Sequence, residues 1–517
     1  MANKALFQSA TGRRVPATDT VNRAGGRAYG LSPRQALAQM AVTGALNGTF
    51  YAEAEEQLSD LLALAFQVEA DFLAKAAVYA RRTGHMKDMP AVMLAALSMM
   101  PGPEFARAFP HVVTNGRMLR TFVQVMRSGV TGRKSLGTRP RNLVRGWLAQ
   151  ASDAEIVRAS VGQEPSLADV VRMVHPHPAS AGRAALYGWL IGRPYDVAAV
   201  PEIVRAFEAF KRDPTGEPPD VPFQMLTTLP LSGEQWAAIG RRAGWQMMRM
   251  NLNTFARHGA FAVDGFAASV AERLRDPEAI RRAKAFPYQL MATHGALDKA
   301  VPAVVREAVQ DAMEVAVANV PSIDGAVVVC PDVSGSMAAP VTGWRRGATT
   351  AVRCIDVAAL TAAALLRANR EARVLPFEQR VVEVELSARD SIATNAAKLA
   401  AVGGGGTNCA APVEQLVAEQ ARVDLVVFVS DNESWIDHRT GRGTPLMQAF
   451  AKLKRLNPAV KLVCIDLQPG ATTQAADRPD ILNVGGFSDA VFDIVGRFAG
   501  GTLGVDHFVG EIEAIDL

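Results

Sequence analysis

Hydrophobic positions recur along this chain with two different periods, and the change between them falls near residue 320. From Ser32 to about Asn319, Ala, Leu and Met return every three to four positions. Examples are PRQALAQMAVTGALNG, LSDLLALAFQVEADFLAKAAVYARR, MLRTFVQVMRS, LADVVRMV, PEIVRAFEAFKR, GEQWAAIGRRAGWQMMRMNLNTFARHG and VPAVVREAVQDAMEVAVANV. That spacing lines one face of a helix, and Gly or Pro punctuates the segments. It predicts an all-helical region built as a stack of helix pairs with short connections. The first 30 residues, with Arg13, Arg14, Arg23, Gly25, Gly26 and Arg27, read as loop.

Beyond Pro321 short apolar runs alternate with helical segments. Strands are expected at Ala326–Cys330, Ala372–Phe377, Val381–Leu386, Leu425–Val429, Lys461–Ile465 and Ile481–Val484. Helices are expected at Val352–Asn369, Ile392–Ala401, Pro412–Glu419, Leu446–Leu456 and Asp489–Phe498. Such alternation points to a doubly wound α/β domain with a mostly parallel sheet. The fold expected is therefore multidomain, an all-α repeat domain over residues 1–320 followed by an α/β domain over residues 321–517.

Composition narrows this further. Hydrophobic content of 49% against 21% charged residues fits a globular chain and excludes a disordered one. No window of about 18 uncharged apolar residues occurs, so no transmembrane helix is expected. The N-terminus lacks the apolar core of a signal peptide. Cys330, Cys354, Cys409 and Cys464 form no CxxC pair, which suits a reducing cytoplasm. Charge is divided unevenly: residues 1–320 hold 37 Lys and Arg against 28 Asp and Glu, and residues 321–517 hold 18 against 23. Residues 101–150 carry nine basic side chains and a single acid, Glu104. A field of one sign attracts polyanions.

The chemistry-bearing residues fall into two sets. In the α/β half, AVVVCPDVSGSM ends a buried strand in Asp332, Ser334 and Ser336, hard oxygens at alternate positions. Two later loops supply Thr407, within GGGGTN, and Asp431, directly after LVVFVS. At the carboxyl ends of parallel strands these oxygens would share one crevice, and a hard cation takes about six oxygens. Three loops in this order resemble the metal-ion-dependent adhesion site of von Willebrand factor A modules, and Mg2+ or a similar divalent cation is the expected ligand. The bland reading is that Ser334 and Ser336 only cap a helix, which leaves Thr407 and Asp431 unexplained. GGGGTN lacks the Lys of a phosphate loop, and neither HExxH nor GxSxG occurs. His175 and His177 flank Pro176 with no third ligand in register. No enzyme activity is expected.

In the helical half, Arg117, Arg120, Arg127, Arg133, Lys134, Arg139, Arg141 and Arg145 span two helices around a Gly-rich connection, and Arg158, Arg172 and His175 follow. The guanidinium fork donates two parallel hydrogen bonds to phosphate. With interleaved aromatics such residues suit single-stranded or looped RNA. A solvated basic face that binds nothing specific explains the charge equally well.

The strings Asn22-Arg23-Ala24-Gly25-Gly26-Arg27-Ala28-Tyr29, Thr49-Phe50-Tyr51 and Tyr79-Ala80-Arg81 resemble the opening of the TROVE module. Leu167 to His175, Met247 to Leu252 and Phe286 to Leu290 resemble its later signatures. TROVE followed by a von Willebrand A module is the architecture of the Ro autoantigen family, and the chain looks like a bacterial Ro orthologue. The resemblance implies a ring of HEAT-like helical repeats closed by the A module. A monomer with no membrane partner is expected. Its implied partners are Y-like small structured RNA, single-stranded 3′ ends of misfolded or immature non-coding RNA, and an exoribonuclease. The implied role is RNA quality control and stress survival. By position Arg158 and His175 fall on family RNA contacts, whereas Gly162 stands where eukaryotic members have a second basic residue. Two other classes of function stay open: an adhesion module in which the cation grips a partner carboxylate and RNA is incidental, and an accessory subunit of a metal chelatase.

Overall fold

The computed structural model describes residues 15–43, 53–283, 285, 287–341, 352–435, 442–486, 489–503 and 507–517. Thr49-Phe50-Tyr51 and Phe286 lie outside them. The chain forms two compact units, and they do not divide at residue 320. One comprises Glu69–Ala279 with Leu297–Val309 and Asp516–Leu517; the other comprises Met1–Val68, Ile280–Ala296 and Gln310–Ile515.

Every regular element among the first unit's described residues is a helix, as the period predicts. Helices Ala70–Arg82, Asp88–Leu97, Glu104–Val112 and Gly116–Ser128 pack on near neighbours in sequence. Their shared core holds Phe105, Phe109 and Phe122, with ring centroids 5.4–6.2 Å apart. A second aromatic core joins Trp236, Phe255 and Phe266 farther along the chain. Helix starts follow local chemistry: Ser152 with Glu155, Ser166 with Asp169 and Ser232 with Gln235 each form a reciprocal capping box. The segment GEQWAAIGRRAGWQMMRMNLNTFARHG is three helices, Gly233–Arg242, Trp245–Met250 and Leu252–Arg257. LSDLLALAFQVEADFLAKAAVYARR likewise spans two helices, Ala54–Ala65 and Ala70–Arg82, separated where the first ends at Phe66 and Glu69 turns extended (φ −70, ψ 149) to start the second.

The second unit is built on strands. These are β1 (Thr20–Val21), β2 (Arg27–Gly30), β3 (Val327–Pro331), β4 (Arg373–Val374), β5 (Leu425–Ser430), β6 (Lys461–Asp466), β7 (Thr472–Thr473) and β8 (Ile481–Gly485). Five of them form a parallel sheet in the order β4-β3-β5-β6-β8. Every residue of β3 and β5 is buried, as a strand covered on both faces requires. Val328, Cys330, Val426, Phe428, Leu462 and Cys464 share one core with Met447, Phe450 and Leu453 of helix Pro445–Leu456. All four cysteines are buried free thiols.

Two expectations are corrected here. Val381–Leu386 is not a strand: the backbone folds back after β4, with Val382 N–H donating to the Pro376 carbonyl, and only Val381 bridges to Phe377. The first 30 residues are not all loop, because β1 and β2 form an antiparallel hairpin and β2 pairs with β7. Helix Pro33–Thr43 then packs on β8. The N-terminal segment is thus part of the α/β unit.

Candidate metal centre and basic cleft

The sheet order places a crevice where it can be used. From β3 the chain crosses to β4 on one side and returns to β5 on the other, so β3 and β5 flank the topological switch point at their carboxyl ends. Asp332 follows β3 and Asp431 follows β5. Asp332, Ser334, Ser336, Thr407 and Asp431 are all buried, and contacts among them bring Ser334, Ser336 and Thr407 together beside the two carboxylates. Ser334 N–H donates to Asp332 Oδ1 at 2.8 Å, and Ser430 Oγ donates to Oδ2 at 2.6 Å. Thr407 Oγ1 donates to Ser334 Oγ at 3.0 Å, and Ser334 Oγ lies 3.4 Å from Ser336 Oγ. Ser334 precedes the short turn Gly335–Ala338 without capping it, which removes the bland reading of that serine. Gly405 carries φ +66 and passes so close to Glu378 that a Cβ would sit 2.1 Å from its carboxylate; its carbonyl accepts from Gly335 N–H at 3.0 Å. That contact joins the first and second loops.

Electrostatics in the crevice favours a cation. Burial, then the neighbouring Asp431 charge, pushes the Asp332 carboxyl up to about 7, and burial raises Asp431 as well. Two carboxylates without a counter-ion resist ionisation. Asp431 Oδ2 is buried with no hydrogen-bond partner, the state of an oxygen awaiting a ligand. Among the described residues no three His, Cys, Asp or Glu side chains form a metal-holding group. The donor set is instead two carboxylates with three hydroxyls, all hard oxygens, which fits Mg2+ and not a soft metal.

Sequence reasoning missed three neighbours. Ser430 orients Asp332, as above. Glu433 is buried and pushed up to about 7 by burial first, and its Oε2 accepts from Ala24 N–H at 3.1 Å. Asp466, at the end of β6, is raised well above its usual range by burial and accepts from Gln468 N–H at 2.9 Å. A carboxylate directly after an apolar strand is the signal that could have found Asp466.

The basic residues divide into three groups. Arg117, Arg120 and Arg158 converge, with Arg242, on a cleft of about 900 Å3 in the helical unit. Thr121, Gln124, Gln163 and Phe223 also line it, as do the carboxylates Asp88, Glu164 and Asp220. Arg117 and Arg158 are exposed and have no hydrogen-bond or ion-pair partner among the described residues. Arg120 is half-buried and donates to the Val161 carbonyl at 2.6 Å. Its guanidinium lies against Gly162, where a Cβ would come within 2.4 Å of it. The cation at this point of the cleft therefore comes from helix Gly116–Ser128, and Gly162 leaves room for it.

Arg139, Arg145 and Arg172 are engaged with backbone. Arg139 donates to the Met100 and Gly102 carbonyls and lies over the Phe105 ring. Arg145 donates to Val174 O, and Arg172 to Ile191 O while pairing with Asp169. Arg127, Arg133, Lys134 and Arg141 are exposed outside the cleft lining, and His175 is an exposed left-handed cap ending helix Leu167–Val174.

Comparison with known proteins agrees with this architecture. Residues 326–499 match the Ro60 vWA domain family. Over 93% of its length the chain is 26% identical to the RNA-binding protein RO60 of Deinococcus radiodurans, spanning 95% of that protein. The crystal structure of the Deinococcus radiodurans RO (RSR) protein shares the fold, with a TM-score of 0.65 at 21% identity over 91% of this chain and 100% of that one.

Proposed function

We propose that this chain, whose residues 326–499 belong to the Ro60 vWA family, is an RNA-binding protein that works by binding and not by catalysis. The observation that carries the proposal is the cleft in the helical unit, whose lining includes the unpaired guanidinium groups of Arg117 and Arg158 and the ring of Phe223. Guanidinium groups match phosphate, and an aromatic face or edge receives an unpaired base. The similarity to a protein named for RNA binding supports the same reading. Its ligands are Y-like small structured RNA and the single-stranded 3′ ends of misfolded or immature non-coding RNA, which an exoribonuclease then trims or degrades.

The metal centre is the second part of the proposal. Asp332, Ser334, Ser336, Thr407 and Asp431 hold Mg2+, for which the unpartnered Asp431 Oδ2 is the clearest support. The ion, when bound, supplies a coordination position for a carboxylate from a partner protein. A second reading, an adhesion module whose RNA binding is incidental, rests on this centre and on exposed Trp435 beside it, whose backbone N–H donates to the Thr407 carbonyl. Crosslinking the full-length protein in cells and sequencing the recovered RNA tests the choice. Enrichment of a structured small RNA together with precursors bearing heterogeneous 3′ tails is expected. Recovery of no RNA above background would reject the RNA reading in favour of adhesion.

A further inference from the structure

The N-terminal string Asn22-Arg23-Ala24-Gly25-Gly26 has no role in either the cleft or the five-oxygen set, yet it lies directly against the third metal loop. Its turn joins β1 to β2 and closes on itself, with Gly26 N–H donating to Asn22 Oδ1 at 2.7 Å. Three contacts then bind it to the loop after β5. Asn22 Nδ2 donates to the Ser434 carbonyl at 2.9 Å, and Ala24 N–H donates to Glu433 Oε2 at 3.1 Å. Gly26 approaches Ser434 so closely that a Cβ would sit 2.0 Å from its carbonyl oxygen. Behind the turn, β2 pairs with β7, and Asn432 Nδ2 donates to the Thr472 carbonyl at 3.3 Å. Asn432 itself has φ +64, a left-handed backbone that asparagine adopts more readily than most non-glycine residues.

The loop so held is the one that carries Asp431. Glu433 N–H donates to Asp431 Oδ1, and Ser434 Oγ donates to the Thr407 carbonyl at 3.3 Å. One stretch, Asp431 to Ser434, therefore meets the second loop, through the Thr407 carbonyl, on one side and the hairpin on the other. A flexible acidic loop would lose conformational freedom on binding an ion, and a loop already held does not. We infer that the N-terminal hairpin is a strap that positions the third metal loop, with Asn22 and Gly26 as positioning residues for a divalent cation held at Asp332 and Asp431.

The inference rests on the proposed cation site, and linkage gives it a signature that packing alone lacks. If the strap strengthens cation binding by some factor, the cation strengthens strap docking by the same factor. The test uses the full chain with Mn2+ as the probe, its affinity read by titration with electron paramagnetic resonance, and wild type compared with Asn22→Ala, Gly26→Ala and Val21→Ala. Val21 is on the same hairpin but 59% exposed, so its truncation controls for general effects on the hairpin. Circular dichroism establishes that each variant is folded at the temperature of the titration. Weakening of Mn2+ binding by about tenfold in Asn22→Ala and Gly26→Ala, with Val21→Ala like wild type, is the expected result. Hydrogen exchange at residues 22–26 in wild type should also slow when Mg2+ is added. Equal Mn2+ affinity in wild type and all three variants overturns the strap. Absence of Mn2+ binding in wild type overturns the cation site and the strap with it.

Discussion

Four buried carboxylates, Asp332, Asp431, Glu433 and Asp466, shape the pH behaviour of the cation-free α/β unit in one direction, because burial raises all of them. Asp332 and Glu433 are pushed up to about 7, chiefly by burial, against about 4 for carboxylates in an unfolded chain. The folded state therefore keeps protons that the unfolded state releases. Their stabilising contribution is complete below about pH 4 and is lost as pH rises through about 7. A divalent cation needs ionised carboxylates, so it acts in the opposite sense. In EDTA the melting temperature should fall between about pH 5 and pH 8, and Mg2+ should raise it at pH 8 far more than at pH 5. A flat pH profile in EDTA, or equal Mg2+ effects at both values, would contradict the assignment. At this scale the sequence was informative where the signal was local. Asp332, Ser334, Ser336 and Asp431 stand at the ends of apolar runs, and the structure brings them together. It was uninformative about which arginines are free. Arg139, Arg145 and Arg172 donate to the carbonyls of Gly102, Val174 and Ile191, and a carbonyl partner has no side-chain signature.

Among the elements, those with long apolar runs were legible and short ones were not. β3, β5 and β6 fall within a residue of the positions expected from VVVC, LVVFV and KLVCI. β1 and β7, two residues each, are too short to show alternation and exist through pairing with β2. The run VVEVEL has strand composition, but the turn after β4 sends it back on itself, leaving residues beyond Val381 without a ladder. Helix Pro445–Leu456 covers the sheet through Phe450, which has no exposed surface and shares a core with Phe428 and Leu462. Phe450→Ala should cost about 3–5 kcal/mol of unfolding free energy, read by urea denaturation. A loss below about 1 kcal/mol would show that this core does not anchor the helix.

For the whole molecule, charge and chemistry are segregated along the chain. Arg117, Arg120, Arg158 and Arg242 line the cleft of the helical unit, while the buried carboxylates Asp332, Asp431, Glu433 and Asp466 belong to the α/β unit. This separation predicts that RNA affinity depends on salt through the arginines and not through the cation. Single-stranded RNA contributes a log–log slope of about −0.7 for each phosphate neutralised. The central claim is tested most directly by measuring RNA affinity across a salt series for wild type and for the Arg117→Ala/Arg158→Ala double variant. The account predicts weaker binding and a slope shallower by about 1.4 units in the double variant. Affinity and slope identical to wild type would contradict it.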